Sequence, residues 1–282
     1  MEAFIISSID DYPISVHAFL PKSPNHKTIV FAPAVAVPQK FYFNMAVYLA
    51  EKGCHVFTFD YRGIGSSNSK SLRYLKQHGF LSWAMDFKSV SKHAKDTYPN
   101  NQQYMIGHSY GGNSIGYSDA YQYYDQYLTI GSQFGYYKYF TPRIRFLIYL
   151  NFKFFVPITT TLLGYYPSHW FGLGKSLSTK AAKDWATLLL HPDSMLHIAK
   201  KTPQAHYQGI KEPMLLISID DDLFAPKKSV DILGNRVYTK AKTERKHLKP
   251  TDYNLKTIGH FDFFRKKNQD ILWPLIDEWF QL

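Results

Sequence analysis

One five-residue motif restricts the local fold of this chain more than any other feature of its sequence. Residues Gly107-His108-Ser109-Tyr110-Gly111 form the pattern Gly-x-Ser-x-Gly directly after the apolar run 104–106. This pattern is typical of a nucleophile elbow, a tight and strained turn that joins a buried strand to a helix. We expect glycine at both ends because a side chain there would collide with the neighbouring strand or helix. The motif therefore predicts a strand, Ser109 and a helix in immediate succession.

Short apolar segments alternate with longer helical segments along most of the chain. The predicted strands cover residues 14–19, 28–32, 55–59, 103–106, 128–132, 214–219 and 255–258. The predicted helices cover residues 41–52, 80–97, 113–123, 229–234 and 268–282. Repeated alternation of strands and helices implies a mostly parallel central sheet with helices on both faces. The sequence therefore predicts an α/β fold.

The alternation stops between residues 134 and 211. This interval is rich in aromatic pairs, such as Tyr136-Tyr137 and Trp170-Phe171, and prolines punctuate it. We interpret 134–211 as a helical cap inserted over the carboxyl ends of the strands. Residues 1–133 and 212–282 would then form the core of the fold.

The stretch 144–163 inside this interval is apolar enough to be mistaken for a membrane span. Arg145, Lys153 and Pro157 interrupt it, whereas a span needs about 20 consecutive, mostly uncharged residues. We therefore do not expect a transmembrane helix. Peripheral contact between the cap and a membrane surface is retained as an alternative, because an amphipathic segment can bind there without crossing.

Bulk composition indicates an ordered globular chain. Of the 282 residues, 45% are hydrophobic and 20% are charged, a balance that does not favour disorder. The formal net charge is +11, which could attract nucleic acid, an anionic membrane or an acidic substrate. The basic residues are scattered and no recognised nucleic-acid module accompanies them, so we expect no nucleic-acid partner and interpret the excess as a solvated basic surface.

Cysteine usage and the first residues of the chain favour a cytoplasmic location. Cys54 is the only cysteine, so no intramolecular disulfide can form. The N-terminal residues lack the basic stretch and apolar run of a secretory signal. Cys54 also has no local base partner, and we expect it to be a small core residue.

Three side chains that could form a Ser-His-Asp triad occur in the chain order serine, acid, histidine. Ser109 comes first, Asp222 lies in the acidic turn 220–222 after a predicted strand, and His260 follows the last predicted strand. All three positions are at carboxyl ends of strands, the edge where open α/β sheets bind ligands. Asp222 is preferred because of the turn it occupies, and Asp221 is the alternative acid.

The proposed chemistry assigns a role to each group. Ser109 would attack an acyl carbonyl, His260 would take its proton, and the carboxylate would orient the imidazole. An oxyanion hole would use the backbone N–H of Tyr110 and one from the loop after the strand 28–32. In that loop Ala34 is the preferred donor and Val35 the alternative.

Other candidate groups are interpreted as structural. His108 would pack beside the elbow without acting as the base. Asp60 and Arg62, in a glycine-containing loop without the lysine of a phosphate-binding loop, would pair and brace the floor of the site. The histidines show no metal-ligand spacing, so we expect neither a metal nor a cofactor.

The chain resembles the α/β-hydrolase superfamily over most of its length. More narrowly, it is similar to a bacterial group of hydrolases near the serine aminopeptidase and monoglyceride-lipase-like branch, in which an Ala-Pro-Ala loop replaces the more familiar His-Gly. The resemblance implies hydrolase chemistry, a cap and no cofactor. It is carried by the segments 31–34, 59–65, 107–111, 221–226 and 259–261.

The leading hypothesis is therefore a serine hydrolase that cleaves a small-molecule carboxylic ester through an acyl-enzyme. The aromatic-rich cap favours an apolar acyl group. The alternatives with the same triad are acyl transfer and cleavage of a thioester or small amide. A non-catalytic protein of the same fold that binds a lipid or a protein partner is a further alternative, because a fold does not determine function. The sequence does not determine the oligomeric state.

Overall fold

A computed structural model of the protein describes residues 1–203 and 205–282. An eight-stranded sheet forms its centre, and a separate two-stranded hairpin lies outside it. In chain order the strands are β1 (Glu2–Ser7), β2 (Pro13–Phe19), β3 (Lys27–Ala32), β4 (His55–Phe59), β5 (Gln102–His108), β6 (Gln126–Ile130), β7 (Tyr165–Tyr166), β8 (Leu177–Ser178), β9 (Pro213–Ile219) and β10 (Lys242–Leu248).

The central sheet is mostly parallel. Its strand order is β1-β2-β4-β3-β5-β6-β9-β10. Only the pairs β1–β2 and β2–β4 are antiparallel, and all pairs from β4 to β10 run parallel. Parallel strands bring their carboxyl ends to one edge, so the loops that follow β3, β5 and β9 meet there. This arrangement confirms the predicted α/β class.

Helices cover both faces of the sheet. The α-helices are α1 (Phe43–Glu51), α2 (Phe80–Thr97), α3 (Tyr110–Ser114), α4 (Pro142–Leu150), α5 (Val156–Leu163), α6 (Thr179–Leu190), α7 (Ser194–Ala199), α8 (Lys227–Ile232), α9 (Gln269–Leu272) and α10 (Pro274–Phe280). Successive strand residues point to opposite faces. Ile29 and Phe31 therefore pack in the apolar layer under α1 and α10, whereas Val30 packs in the layer under α2.

The prediction of a last strand at 255–258 is wrong. Those residues form a loop, and the last strand is β10, which pairs in parallel with β9. β10 reads Lys-Thr-Glu-Arg-Lys-His-Leu and is largely exposed. Charged residues are common on edge strands because they prevent pairing with other chains. A search for apolar runs therefore passes over this strand. The opposite edge strand, β1, was not predicted either, although it contains the apolar run 3–6.

The predicted helix at 113–123 is also only partly correct. The α-helix begins directly after the elbow and ends at Ser114, and short 3-10 turns continue to Tyr123. The carbonyl of Gly112 accepts a hydrogen bond from the Tyr238 hydroxyl, and that of Asn113 accepts one from Tyr207. Acceptors that a longer helix would use are thus taken by tyrosines from distant segments, which the local sequence cannot show.

Between β6 and β9 the chain leaves the sheet and forms helices α4 to α7. Gln204, within the interval predicted as a cap, lies outside the described residues. The N–H of Lys175 donates to the carbonyl of Ala36 at 2.9 Å, and that of His206 donates to Gly116 at 2.8 Å. Ala36 lies in the loop after β3, and Gly116 lies beyond the elbow. The segment therefore contacts the loop after β3, at the carboxyl edge of the sheet, and the turn that follows α3.

The longest helical stretch of this segment joins α4 and α5 through a π-helical turn, Asn151–Phe155. Pro157 has no N–H for the carbonyl four residues before it, and a wider turn accommodates this loss. By length and composition alone, Pro142–Leu163 could cross a membrane. A core helix of the same composition would be mostly buried, whereas only 22% of the most apolar window of this stretch is buried in the protein. The stretch is therefore apolar without being a core helix.

Candidate active site

Ser109 lies on a strained turn between β5 and α3. Its backbone has φ 52° and ψ −118°, a conformation that non-glycine residues rarely adopt. A Cβ on Gly107 would lie 2.6 Å from the nitrogen of Gly112, and a Cβ on Gly111 would lie 1.9 Å from the carbonyl oxygen of Ala32. The two motif glycines therefore allow the close approach of helix to strand and of the elbow to β3, as the sequence predicted.

Asp222 and His260 form a buried hydrogen-bonded pair. His260 Nδ1 lies 2.7 Å from Asp222 Oδ2, and both residues are less than a tenth exposed. The other carboxylate oxygen, Oδ1, accepts the backbone N–H groups of Phe224 at 2.7 Å and Ala225 at 2.9 Å. The carboxylate is thus fixed by the turn after β9 and directs one oxygen at the imidazole.

Asp221, the alternative acid in the sequence, has a different position. Its carboxylate accepts hydrogen bonds from the Thr257 hydroxyl and from the N–H groups of Ile258, at 3.0 Å, and Gly259, at 2.8 Å. Partial burial opposes ionisation, but these hydrogen bonds outweigh it and lower the pKa of Asp221. Asp221 therefore anchors the loop that carries His260, whereas Asp222 contacts the ring itself.

The elbow and the imidazole approach the same segment at the end of β6. The N–H of Ser109 donates to the carbonyl of Ile130 at 3.0 Å, and a Cβ on Gly131 would lie 3.1 Å from His260 Nδ1. Because Nδ1 faces Asp222, Nε2 is the nitrogen left for other partners. In the described part of the chain neither that nitrogen nor the Ser109 hydroxyl forms a hydrogen bond. The structure thus joins the acid to the histidine but does not show a serine–histidine hydrogen bond.

His108 has a more specific role than the packing predicted for it. Its Nε2 lies 2.9 Å from the backbone carbonyl of His260, which can only accept, so Nε2 carries the hydrogen. Nδ1 then accepts from the Tyr42 hydroxyl at 2.8 Å. Burial, followed by the neighbouring His260, lowers the pKa of His108 well below its ordinary value and keeps the ring neutral. This neutral ring therefore connects the elbow to the backbone of the histidine loop.

The same chain of hydrogen bonds engages the predicted oxyanion donor. The N–H of Ala34 donates to the Tyr42 hydroxyl at 3.0 Å, so it is not free to bind a substrate oxygen. This geometry argues against Ala34, because a backbone nitrogen has only one hydrogen to donate. Val35, the alternative donor, and Tyr110 have no backbone hydrogen bond from nitrogen among the described residues. Tyr42 could not be found from the sequence, since no motif marks it.

Two phenylalanine side chains flank the imidazole. The ring centroids of Phe224 and Phe261 lie 5.3 Å and 5.0 Å from that of His260, and both side chains are partly exposed, as is Leu223. A rim of exposed apolar side chains around a buried polar pair favours an apolar ligand. The run Leu223-Phe224 beside the acidic turn was a signal for this rim in the sequence.

The loop after β4 carries Asp60 and Arg62, which the sequence predicted to pair. Asp60 and Arg62 do not pair: Asp60 accepts the N–H groups of Gln39 and Ser66, whereas Arg62 binds Asp86. Adjacent loop residues thus bind different elements, and the predicted pair is wrong.

Cys54 is fully buried, which confirms that it is a core residue. Burial raises the pKa of its thiol to about 11. In the described part of the chain no cluster of three His, Cys, Asp or Glu could hold a metal.

The parallel sheet, the strained serine elbow and the position of the Asp–His pair define an α/β hydrolase. The family model described as serine aminopeptidase S33 matches residues 23–252. Because the match covers most of the chain, the protein belongs to this family. No curated protein matches the chain in sequence.

Solved structures share the whole fold at low sequence identity. The protein DcsB, in complex with its substrate analogue, has a TM-score of 0.65 at 12% identity over 99% of this chain and 98% of its own. Mouse alpha/beta hydrolase domain-containing protein 10 has a TM-score of 0.60 at 14% identity, covering 100% and 99%. A thermostable carboxyl esterase from Bacillus coagulans has a TM-score of 0.57 at 13% identity, covering 88% and 89%. At these identities the similarity shows a shared fold alone.

Proposed function

We propose that the protein is a serine hydrolase that cleaves carboxylic esters through an acyl-enzyme. The observation that carries the proposal is the buried Asp222–His260 hydrogen bond of 2.7 Å at the sheet edge that also presents Ser109. An imidazole fixed at Nδ1 by a carboxylate presents Nε2 as a base. Membership of a serine aminopeptidase family and a solved esterase of the same fold support this chemistry.

The proposed reaction has two steps. The oxygen of Ser109 bonds to the ester carbonyl carbon while His260 Nε2 takes the hydroxyl proton, and the departing alcohol receives that proton as the C–O bond breaks. Water then attacks the acyl-enzyme, again giving its proton to Nε2, and Ser109 recovers a proton as the acid leaves. Asp222 stabilises the imidazolium in both steps. In enzymes without substrate the serine–histidine hydrogen bond is often long.

We propose Tyr110 and Val35 as the oxyanion-hole donors. Tyr110 follows the nucleophile at the start of α3, where helix N–H groups have no intrahelical partner. Val35 lies in the turn after β3, and the next residue, Ala36, has a left-handed φ of 61°. This revises the sequence-based preference for Ala34, whose N–H binds Tyr42 instead.

The substrate proposed is a small-molecule ester with an apolar acyl group. The rim formed by Leu223, Phe224 and Phe261 supports this choice. The segment 134–211 is proposed as a cap, since its described part contacts the loop after β3 at the same edge. A cytoplasmic location is proposed on the absence of disulfide partners for Cys54.

Hydrolysis of p-nitrophenyl esters of increasing chain length tests the proposal. We expect turnover by the wild type and a loss of more than about a thousandfold in kcat for Ser109→Ala. Ser114→Ala, a nearby buried serine, is the matched control and should keep most of the activity. Equal turnover by Ser109→Ala would contradict the proposal. Competing water, alcohol and thiol as acceptors in the same assay distinguishes hydrolysis from acyl transfer.

A further inference from the structure

The helical stretch Pro142–Leu163 has apolar side chains on two opposite sides. One side, including Ile144 and Phe152, packs onto the apolar core. The other side is exposed, and Leu162 at its end is 77% accessible. Trp170 and Phe171 form a neighbouring turn, which we call the aromatic turn. We call the exposed side of the helix, together with this turn, the outer helix face. Its members are Phe146, Leu147, Phe154, Phe155, Ile158, Leu162, Trp170 and Phe171.

A helix that is apolar on all sides is found inside a core or in contact with lipid. The first setting does not apply here, because most of the stretch is unburied. Contiguous exposed apolar surface of this kind marks an interaction site. Arg143, Arg145 and Lys153 lie on the same stretch, and long basic side chains can extend from a buried stem to a polar headgroup. The pattern therefore suits a helix that lies in the plane of a membrane interface.

Net positive charge is concentrated in the same part of the chain, because acidic residues are scarce there. The interval 134–211 contains ten Lys and Arg but only two Asp and no Glu, so it carries +8 of the net +11. A cleft of about 440 Å³ beside Gly164, at the end of the stretch, is lined by four basic residues. Those residues are Arg73, Lys76, Lys180 and Lys183. Basic residues next to an apolar surface match the phosphates of anionic lipids.

The aromatic turn connects this surface to the candidate active site. Trp170 is 62% exposed, and tryptophan is enriched at membrane–water interfaces. Phe171 contacts Phe155 of the helix with ring centroids 5.4 Å apart. A few residues later, the N–H of Lys175 donates to the carbonyl of Ala36, beside the proposed oxyanion donor. The outer helix face is therefore continuous with the loop at the mouth of the site.

We propose that the outer helix face docks in the headgroup region of an anionic phospholipid bilayer, from which the enzyme takes acyl esters. The surface charge and the unpartnered apolar helix carry the docking itself. The choice of substrate rests on the proposed hydrolase function. The two parts fail separately, because docking does not need the reactive serine.

Vesicle sedimentation with the Ser109→Ala protein tests docking without turnover. We expect at least about tenfold stronger binding to vesicles containing phosphatidylglycerol than to phosphatidylcholine alone, weakening with added salt. The double variant Phe154→Ser, Leu162→Ser should lose about tenfold in binding. The matched control is Ile5→Ser, Ile9→Ser, which removes two similarly exposed apolar side chains near strand β1.

An environment-sensitive fluorophore locates the contact. Attached at Leu162→Cys, it should shift to the blue on addition of anionic vesicles, and attached at Ile5→Cys it should not. Cys54 is buried and will not react in the folded protein. Three results would overturn the proposal: equal binding to both vesicle types, a homodimer that the double variant abolishes, or retention in membranes after alkaline carbonate extraction. Active enzyme that fails to bind would leave the hydrolase proposal intact.

Discussion

Two neighbouring aspartates at the end of β9 have separate tasks at the residue scale. Asp222 binds the imidazole of His260, and Asp221 holds the backbone of the loop that carries it. Both carboxylates accept several hydrogen bonds, so their number does not distinguish the triad acid. The partner distinguishes it, since only Asp222 binds the imidazole. Sequence order alone left both residues as candidates.

Replacing each aspartate with asparagine separates these tasks. We expect Asp222→Asn to lower kcat by about ten-thousandfold with a small change in KM, because the imidazole loses its orienting carboxylate. Asp221→Asn should lower kcat by about tenfold or less and the free energy of unfolding by about 1 kcal/mol. Steady-state kinetics with urea denaturation measures both. A larger loss of kcat in Asp221→Asn than in Asp222→Asn would reverse the assignment.

The hydrogen-bonded chain from Ala34 through Tyr42 and His108 to His260 shows what sequence spacing cannot reveal. These residues come from three segments of the chain, and the two bonds of the His108 ring depend on its carrying the hydrogen at Nε2. Sequence order identified Ser109, Asp222 and His260 as candidates because a triad has a recognisable order. It did not identify the free oxyanion donor, since the competing hydroxyl of Tyr42 reaches Ala34 only in the folded chain.

The elbow is the element whose backbone depends most on glycine. At Gly111 an added methyl group would overlap the carbonyl oxygen of Ala32, which is part of β3 and cannot move aside. Gly172, in the turn after the exposed aromatic residues, has a different need: its backbone is left-handed, with φ 68°, and the space around it is open.

Alanine substitutions at these glycines compare overlap with backbone strain. Gly111→Ala should lower the free energy of unfolding by about 3 kcal/mol or more and abolish ester turnover. Gly172→Ala should cost only about 1 kcal/mol, the strain of a left-handed residue. Chemical denaturation gives both values. Equal losses of unfolding free energy in the two variants would show that the close approach to Ala32 does not determine the backbone conformation of the elbow.

At the same scale, the central strands were predictable and the edges were not. The strands β3 to β6 and β9 are buried on both faces and read as apolar runs. The edge strand β10 is charged and at most partly buried over most of its length, so its sequence carries little apolar signal. The opposite edge strand, β1, contains the apolar run 3–6 but is largely exposed, and the sequence analysis assigned no strand there. His260 nevertheless lies at the sheet edge where the sequence placed it. The predicted strand before it does not form, but Asp221 holds its loop at that edge.

The stability of the protein as a whole should depend on neutral histidines that are buried or half-buried in the folded state. Burial lowers the pKa of His108, His55 and His93 in the folded protein. A lowered pKa means that the unfolded chain binds protons first as the pH falls below about 6.5. Their contribution to stability is therefore present above that pH and is lost on acidification.

Substitution of His108 should reduce this acid sensitivity. As the pH falls below about 6.5, the wild type should lose up to about 1.4 kcal/mol of unfolding free energy per pH unit through the fully buried His108. His108→Gln keeps a donor for the carbonyl of His260 but does not titrate, so its unfolding free energy should fall less steeply between neutral and mildly acidic pH. The exposed His169→Gln is the control. Identical slopes for wild type and His108→Gln would contradict the neutral, buried assignment.

Covalent trapping tests whether Ser109 is a nucleophile activated by His260. The folded protein is treated with a fluorophosphonate, and the modified residue is identified by peptide mass spectrometry. We expect one adduct on Ser109, formed by the wild type, strongly slowed in His260→Ala and absent in Ser109→Ala. An unmodified folded protein, or an adduct on another residue that persists in Ser109→Ala, would contradict it.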